Sequence, residues 1–348
     1  MSRVFTITLN PAIDQTVSLR TLVPGATHRA LGVQSEAGGK GVGVAAVLAG
    51  LGVPVSASGW LGADNAAMFE AAFERRGIED AMVRIPGSTR TNIKLADAER
   101  GDSTDINLPG VAFTPEAVVK AEADLLHLLQ AKVQPGDWCE LAGSLPPGVG
   151  TDSWLRIARS LSRLGAQLLI DTGGSVLGEL LGQLAAGGDA HGRTTSGDER
   201  PEVHGSGTAS DHDGSAMPAF IKPNRSELEE LVGQPLPTLV DVANAADDLR
   251  ARGVRQVVVS LGGEGAVIAC AQGRWHALPP KVPVATTVGA GDALVAGTLA
   301  ALIEGMAFPQ AAVFGMACAA ARIQRIAPDL PPRAEIDRLA ASIALQPL

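Results

Sequence analysis

Cysteine is scarce. The 348-residue chain holds three, Cys139, Cys270 and Cys318, far apart and without metal-ligand spacing. An odd, scattered set argues against a disulfide framework and for a reducing compartment, so a cytoplasmic setting is expected. Basic residues are also in short supply: 28 Lys and Arg face 37 Asp and Glu, a formal net charge of -9. That balance removes the broad positive field by which nucleic-acid binders attract phosphate backbones, and no nucleic-acid partner is expected. Any anionic ligand must be held by a local cluster of cations and backbone N–H groups. Long uninterrupted apolar runs are missing too. The most apolar stretch, Ala293 to Ile323, is broken by Glu304, Pro309 and Gln310 into two pieces of ordinary helix length, whereas a membrane span needs roughly 20 unbroken apolar residues. Met1 to Leu9 is too short for the apolar core of a signal peptide and alternates like a strand before the turn dipeptide Asn10-Pro11. Neither export nor a membrane partner is expected.

What is present is enough apolar residue, 46% of the chain, to fill a sizeable core. Runs rich in Val, Ile and Leu alternate with helix-like stretches, the pattern of βαβ units and a mostly parallel sheet. Strands are expected at Val4–Leu9, Val55–Trp60, Leu168–Asp171, Phe220–Lys222 and Gln256–Leu261. Helices are expected at Gly41–Leu51, Asn65–Arg76, Pro115–Leu129, Asp152–Leu164, Arg225–Val232, Val240–Arg252, Gly291–Glu304 and Pro309–Ile323. Thr16–Ser35 and Thr89–Asn107 instead alternate polar and apolar residues, which predicts a small antiparallel layer with one wet face. Gly182–Met217 is dense in Gly, Ser, Asp and His and poor in large apolar side chains, as a mobile insertion would be. His191, His204 and His212 lie there beside Asp189, Asp211 and Asp213, but their spacing fits no ligand pattern and a solvated loop is the expectation.

The most informative run is Thr286-Thr287-Val288-Gly289-Ala290-Gly291-Asp292, small residues leading directly into a long apolar helix. Glycines turn the chain with N–H groups outward, and a helix start adds partial positive charge, so Gly289, Ala290 and Gly291 can cradle a transferring phosphoryl group. Asp292 in the first turn is either a helix cap or a base aimed at an incoming hydroxyl. A second run, Gly38-Gly39-Lys40-Gly41-Val42-Gly43, is not a Walker A loop, since Gly41 follows Lys40 where Ser or Thr is needed. Gly41, Gly43 and Ala46, with Asp64 about 20 residues on, match the looser dinucleotide fingerprint, which keeps an NAD-dependent dehydrogenase as a rival. Arg90, Asn92 and Lys94 alternate at period two, so one strand face carries two cations and an amide, suited to a phosphate or a polyol or simply to water. Asn224 and Glu227, after Lys222-Pro223, stand at capping-box spacing. Ser260-Leu261-Gly262-Gly263-Glu264-Gly265 reads as a glycine turn after a strand, either a nucleotide loop or a hairpin.

Together and in order, these motifs resemble the ribokinase-like carbohydrate kinases, within them the 1-phosphofructokinase and tagatose-6-phosphate kinase branch. The carrying residues are Asn10-Pro11-Ala12-Ile13-Asp14, Gly38-Gly39-Lys40-Gly41, Thr89-Arg90-Thr91-Asn92, Gly143-Ser144-Leu145-Pro146-Pro147-Gly148, Lys222-Pro223-Asn224 with Glu227, and Thr287 to Asp292. The likeness spans nearly the whole chain except Gly182–Met217. It implies a single three-layer α/β/α domain over residues 1–348, with a mostly parallel central sheet and a small β lid from about residues 12–36 and 88–108. It implies Asp292 as base and Gly289 to Asp292 as anion hole. Asp14, Gly39, Lys40, Arg90, Asn92 and Ser144, joined by Lys94, would hold a sugar phosphate. Lys222, Asn224, Glu227, Ser260, Gly262 and Gly265 fall on the nucleotide side, with Asn224 and Glu227 organising Mg²⁺ through water. ATP and Mg²⁺ are thus the implied cofactors, and pairing of two copies through the lid is implied as well. Relatives carry Asn where this chain has Gly43. The implied reaction is phosphorylation of fructose 1-phosphate to fructose 1,6-bisphosphate. Tagatose 6-phosphate and fructose 6-phosphate are close alternatives as acceptor, and a non-catalytic sugar-phosphate sensor is a rival of another class.

Overall fold

The computed structural model describes residues 2–188, 216–325 and 329–348. The three histidines and three aspartates of the conceivable metal cluster lie outside these residues, and among the described residues no group of His, Cys, Asp and Glu could hold a metal directly.

Among the described residues, ten strands form the main sheet. In chain order they are β1 (Val4–Thr8), β4 (Val55–Gly62), β5 (Glu79–Ile85), β8 (Trp138–Ala142), β9 (Gln167–Asp171), β10 (Phe220–Ile221), β11 (Gln256–Ser260), β12 (Ala266–Cys270), β13 (Gly273–Ala277) and β14 (Leu345–Pro347). The spatial order is β14-β13-β12-β11-β10-β9-β8-β1-β4-β5. The strands from β5 to β11 run parallel, and β12 to β14 continue the sheet antiparallel.

Both faces are covered, as a parallel sheet requires. Val4 packs in one core with Val42, Val44, Leu48, Leu294 and Leu299; Phe5, Ile7 and Leu9 turn to the other, with Leu125, Trp154, Ile157 and Leu180. The first core is closed by helices α1 (Lys40–Gly50), α2 (Ala67–Arg76), α8 (Ala290–Ile303), α9 (Phe308–Ile323) and α10 (Arg333–Ala341). The second is closed by α3 (Pro115–Lys132), α4 (Thr151–Arg163), α5 (Gly174–Gly188), α6 (Arg225–Val232) and α7 (Leu239–Ala251). This is the expected three-layer arrangement. The apolar stretch from Ala293 to Ile323 is the buried hairpin of α8 and α9, and small residues bring the two helices close. A Cβ on Gly297 would lie 2.9 Å from Gly315 Cα and 3.0 Å from Cys318 Cβ. No described helix is long and apolar enough to cross a membrane.

Four further strands form the lid, β2 (Ala12–Leu19), β3 (Gly32–Gly38), β6 (Arg90–Asp97) and β7 (Asp102–Ile106), in the order β3-β2-β6-β7. The lid is not wholly antiparallel as its alternation predicted. Its central pair, β2 and β6, is parallel, with Ala12 opposite Arg90 and Asp14 opposite Asn92. The reason is topological: β2 follows β1 and β6 follows β5, both parallel members of the main sheet, so the chain leaves the same edge in the same direction twice.

The expected insertion also needs a shorter boundary. Helix α5 runs on through Gly188, with Leu184 buried in the second core, so residues 182–188 belong to the domain. Gly174, Gly178 and Gly182 had masked the helical period.

Candidate active site

The site lies where β1, β8 and β9 end beneath the lid, at an open cleft of about 840 Å³. Parallel strands deliver their loops to this edge, where open α/β sheets bind ligands. Asp14, Lys40, Arg90, Asn92, Ser144 and Asp292 all line it, with Gly39 beside them. The structure therefore brings the residues expected on the acceptor side, Lys94 excepted, together with the candidate base from five separate segments.

Asp292 occupies the first turn of α8, behind Gly289 in the left-handed conformation (φ 76°). Among the described residues no side chain caps this helix, so Asp292 does not serve as its cap. Of the first-turn N–H groups, which helices leave without intrahelical acceptors, that of Ala290 donates to Thr287 O at 3.4 Å, and those of Gly291 and Asp292 can serve a ligand. Burial, and secondarily the charge of Asp171, push the Asp292 carboxyl up to about 7, while Lys40 and Lys222 oppose the rise. Near neutrality it can both accept and release a proton, as a general base must.

Two lysines meet at Asp171, the last residue of β9. Lys40 Nζ donates to Asp171 Oδ1 at 3.0 Å and Lys222 Nζ lies 3.7 Å from the same oxygen. Lys222 Nζ is also 3.7 Å from where a Cβ on Gly291 would stand, so its ammonium abuts the glycine turn. Sequence reasoning missed Asp171 as a site residue. Its signal was a carboxylate closing an otherwise apolar strand run. Glu140 on β8 was missed as well. By strand alternation Thr6, Thr8, Glu140 and Asp171 all turn toward α1 and α8. Glu140 is fully buried, neither of its oxygens has a hydrogen-bond partner among the described residues, and burial holds its carboxyl well above the usual range. The rise follows from burial, because an unpaired charge there would be costly and the protonated form is favoured.

On the lid, Asp14 accepts from Asn92 Nδ2 at 3.0 Å, and burial raises its carboxyl. Arg90 differs from the expectation of a free phosphate ligand. Its guanidinium donates to the carbonyls of Leu108 at 2.6 Å, Asn10 at 3.1 Å and Pro11 at 3.4 Å. Two of its five N–H groups remain for a ligand. Lys94 is not at the cleft wall; it pairs with Asp105 of β7 at 3.2 Å. Period two put Lys94 on the face of Arg90, but four residues of extended chain carry it roughly 13 Å farther along the lid. Asn10, also missed, donates to Ser144 Oγ and to Pro109 O, both at 3.1 Å, tying the first loop to the Gly143-Ser144 loop.

The residues expected on the nucleotide side lie next to this cleft, through Glu227 beside Lys40. Asn224 and Glu227 form the capping box their spacing predicted, and Asn224 forms an isolated parallel bridge with Ser260, the last residue of β11. Gly262 and Gly265 both adopt positive φ. A Cβ on Gly265 would collide with Ala277 O, so β11 and β12 are joined here by a turn only glycine permits. Arg225 clamps this turn through Glu264 at 3.0 Å. Glu227 Oε1 stands 4.0 Å from Lys40 Nζ, which places the capping box beside Lys40.

The dinucleotide fingerprint fails on context: Gly39 to Gly43 follow lid strand β3, not β1, and Asp64 lies in a short 3₁₀ turn, Ala63–Asn65. The pfkB carbohydrate kinase pattern, in contrast, matches residues 4–184 and 205–334. The chain belongs to the pfkB family of carbohydrate kinases. Among relatives of this pfkB chain, the 1-phosphofructokinase of Xanthomonas campestris pv. campestris is 43% identical over 86% of this chain and 84% of its own. The 1-phosphofructokinase of Rhodobacter capsulatus is 36% identical over 99% and 98%. That of Escherichia coli K12 is 32% identical over 99% and 98%. Phosphofructokinase-2 from Escherichia coli, solved in complex with substrates and products, shares the pfkB fold at a TM-score of 0.80 and 24% identity, covering 97% of this chain and 98% of that one. A possible 1-phosphofructokinase from Thermotoga maritima aligns at 0.79 with 25% identity, covering 99% of both chains. As a pfkB kinase, the protein uses ATP as its phosphoryl donor.

Proposed function

We propose that this kinase transfers the γ-phosphoryl group of ATP to the C6 hydroxyl of fructose 1-phosphate, giving fructose 1,6-bisphosphate, with Asp292 as general base. The observation that carries this reading is the position of Asp292, on an uncapped helix start and at the wall of a cleft that also holds Lys40 and Arg90. The relatives named 1-phosphofructokinase over nearly the whole chain support the choice of acceptor.

Asp292 takes the proton of the attacking hydroxyl as its oxygen bonds to the γ-phosphorus and the bond from that phosphorus to the β,γ-bridging oxygen breaks, releasing ADP. The N–H groups at the start of α8 stabilise charge on the equatorial phosphoryl oxygens. Lys222, against Gly291, adds a fixed cation at the transferring group. Lys40 and Arg90 face the phosphate that is not transferred, while Asp14 and Asn92 orient the sugar hydroxyls.

Mg²⁺ fits a site with few protein ligands. The described residues offer no cluster for direct coordination, but Glu227 stands partly exposed beside Lys40. That suits an ion held chiefly by nucleotide phosphates and water, with Glu227 and Asn224 as outer partners. Its chemistry would be neutralisation of charge between the β- and γ-phosphates. Ser260, Gly262 and Gly265 would line the nucleotide.

Pairing of two copies through the lid is supported by apolar side chains exposed on its strands and loops, Leu31 at 65%, Val33 at 60% and Ile106 at 43%. The buried free thiols of Cys139, Cys270 and Cys318 suit a cytoplasmic setting. The test is an ATP-coupled assay against fructose 1-phosphate, fructose 6-phosphate, tagatose 6-phosphate and free fructose. Highest kcat/KM with fructose 1-phosphate is expected. Preference for another ketose phosphate would reassign the acceptor, and sugar-phosphate binding without ATP turnover would make the protein a sensor.

A further inference from the structure

The chain enters α8 across the end of α9. Ile323 O, in the last turn of α9, accepts from the N–H groups of Ala285 at 2.8 Å and Thr286 at 3.1 Å, and Thr286 Oγ1 accepts from Val288 N–H at 3.2 Å. The preceding residue, Arg322, reaches the glycine turn itself. A Cβ on Gly289 would stand 3.2 Å from Arg322 Nε and 3.8 Å from both its Cζ and Nη2, so the guanidinium packs on the bare face of the residue that opens α8. Arg322 is only 8% exposed, and its Nη1 donates to Arg325 O at 2.7 Å.

Two helix ends act on this cation with opposite sign. The last carbonyls of α9 favour it, whereas the start of α8 carries partial positive charge and repels it. Burial also works against it and pushes the guanidinium below the usual range of arginine, with the charges of Glu36, Asp292 and Asp329 opposing that shift. Ending α9 would require neither burial nor a place against Gly289. A guanidinium keeps its charge at any working pH, so this place is favourable only when negative charge stands at the start of α8. Asp292 supplies some of it in the free enzyme, and a transferring phosphoryl group would supply more.

We propose that Arg322 is a positioning residue for phosphoryl transfer: packed on Gly289, its guanidinium fixes the anion-binding turn with a positive charge at its back. The inference rests on the reading of that turn as the anion hole and adds the group that supports it from α9. Arg322 does not line the cleft, so it acts through the turn and not by contact with either substrate. The turn is then backed by two cations, Lys222 at Gly291 and Arg322 at Gly289. The close crossing of α8 and α9 at Gly297 and Gly315 holds the second of them in register with the N–H groups of Gly291 and Asp292.

The test compares Arg322→Gln with Arg322→Lys, since either side chain can donate to Arg325 O and only lysine keeps the charge. Arg322→Gln is expected to lower kcat by roughly 10–100-fold, no more than the loss of one direct anion-hole donor, and to change KM for fructose 1-phosphate by less than about threefold. Arg322→Lys should recover most of the loss. The acid limb of the pH–rate profile should move to higher pH in Arg322→Gln and stay in place in Arg322→Lys, because a nearby cation favours the ionised Asp292. The other charges around Asp292, those of Asp171, Lys40, Lys222, Asp14 and Glu140, are untouched by either change, as are Glu36 of β3 and Asp329 beside Arg322. Arg322→Met, neutral and of similar reach, serves as a second uncharged variant, and thermal melts read folding separately from turnover. An unchanged kcat in the neutral variants would overturn the inference, as would an equal loss in Arg322→Lys, which would reduce Arg322 to packing. Asp292→Asn, assayed alongside, separates the two failures: if it keeps its turnover the reading of the site falls, whereas if it is inactive while Arg322→Gln is normal only the role of Arg322 falls.

Discussion

Lys40 and Asp171 are 131 residues apart in sequence and hydrogen-bonded at 3.0 Å. Asp171 is 2% exposed at its side chain and faces Lys222 as well. One buried carboxylate therefore sets the positions of two ammonium groups, one toward each half of the site.

Asp171→Asn should release both lysines. Lys222, 6% exposed, would lose the charge that offsets its burial, at a cost of up to about 3–5 kcal/mol. KM for both substrates should rise and kcat should fall by at least about tenfold, one ion-pair contact's worth of transition-state binding. The acid limb of the pH–rate profile should also shift downward, because the Asp171 charge is one cause of the raised Asp292 pKa. Steady-state kinetics from pH 5 to 9, with a thermal melt, would check all three outcomes. An unmoved acid limb would mean that the two carboxylates do not communicate.

The free enzyme should lose activity on acidification through the Asp292 pKa of about 7. Since the base works ionised, kcat/KM should fall about tenfold per pH unit below that value and level off above it. Asp292→Asn should reduce turnover by roughly 10²–10⁴-fold with ATP affinity little changed. Stability carries the opposite sign. A raised carboxyl pKa means the fold holds the proton more tightly than the unfolded chain, so its contribution declines as pH rises from 3.8 through about 7. Asp292→Asn should therefore melt higher than the parent at pH 8 and nearly alike at pH 4.

Arg90→Ala should raise the sugar-phosphate KM by roughly 10–100-fold, the loss of one charge-assisted contact, with little effect on the ATP KM. Discrimination against unphosphorylated fructose should shrink with it. Arg90→Lys should not restore the parent KM, because one ammonium cannot hold the carbonyls of Asn10, Pro11 and Leu108 in their present array and also reach a phosphate. Full recovery in Arg90→Lys would reduce Arg90 to a point charge.

Replacing residues 189–215 with a Gly-Ser linker should leave cooperative unfolding and kinase activity intact, given their few large apolar side chains. A deletion beginning at Gly182 should instead destabilise the protein, because it removes Leu184 from the core. Urea denaturation of both variants would discriminate. Equal stability of the two would place the domain boundary back at Gly182.

Much of this molecule was legible in the residues alone. The alternation of apolar runs determined a parallel sheet with helices on both faces, because local periodicity and burial on both sides are properties of each segment by itself. The capping box at Asn224 and Glu227 and the helix after Gly291 were legible for the same reason: they are local. The lid was foreseen, but not the parallel pairing of β2 with β6, which depends on how β1 and β5 lie in another sheet. Strand β8 escaped notice because Glu140 interrupts its apolar run, and α5 because its glycines obscure the period. Lys94 was misplaced because alternation reports a face and not a distance along it. Asp171 and Glu140 gained meaning only in three dimensions. A carboxylate's role depends on which cations fold against it. Sequence names the groups that can do chemistry; tertiary packing alone decided which of them meet, how dry they are, and in which direction the base points.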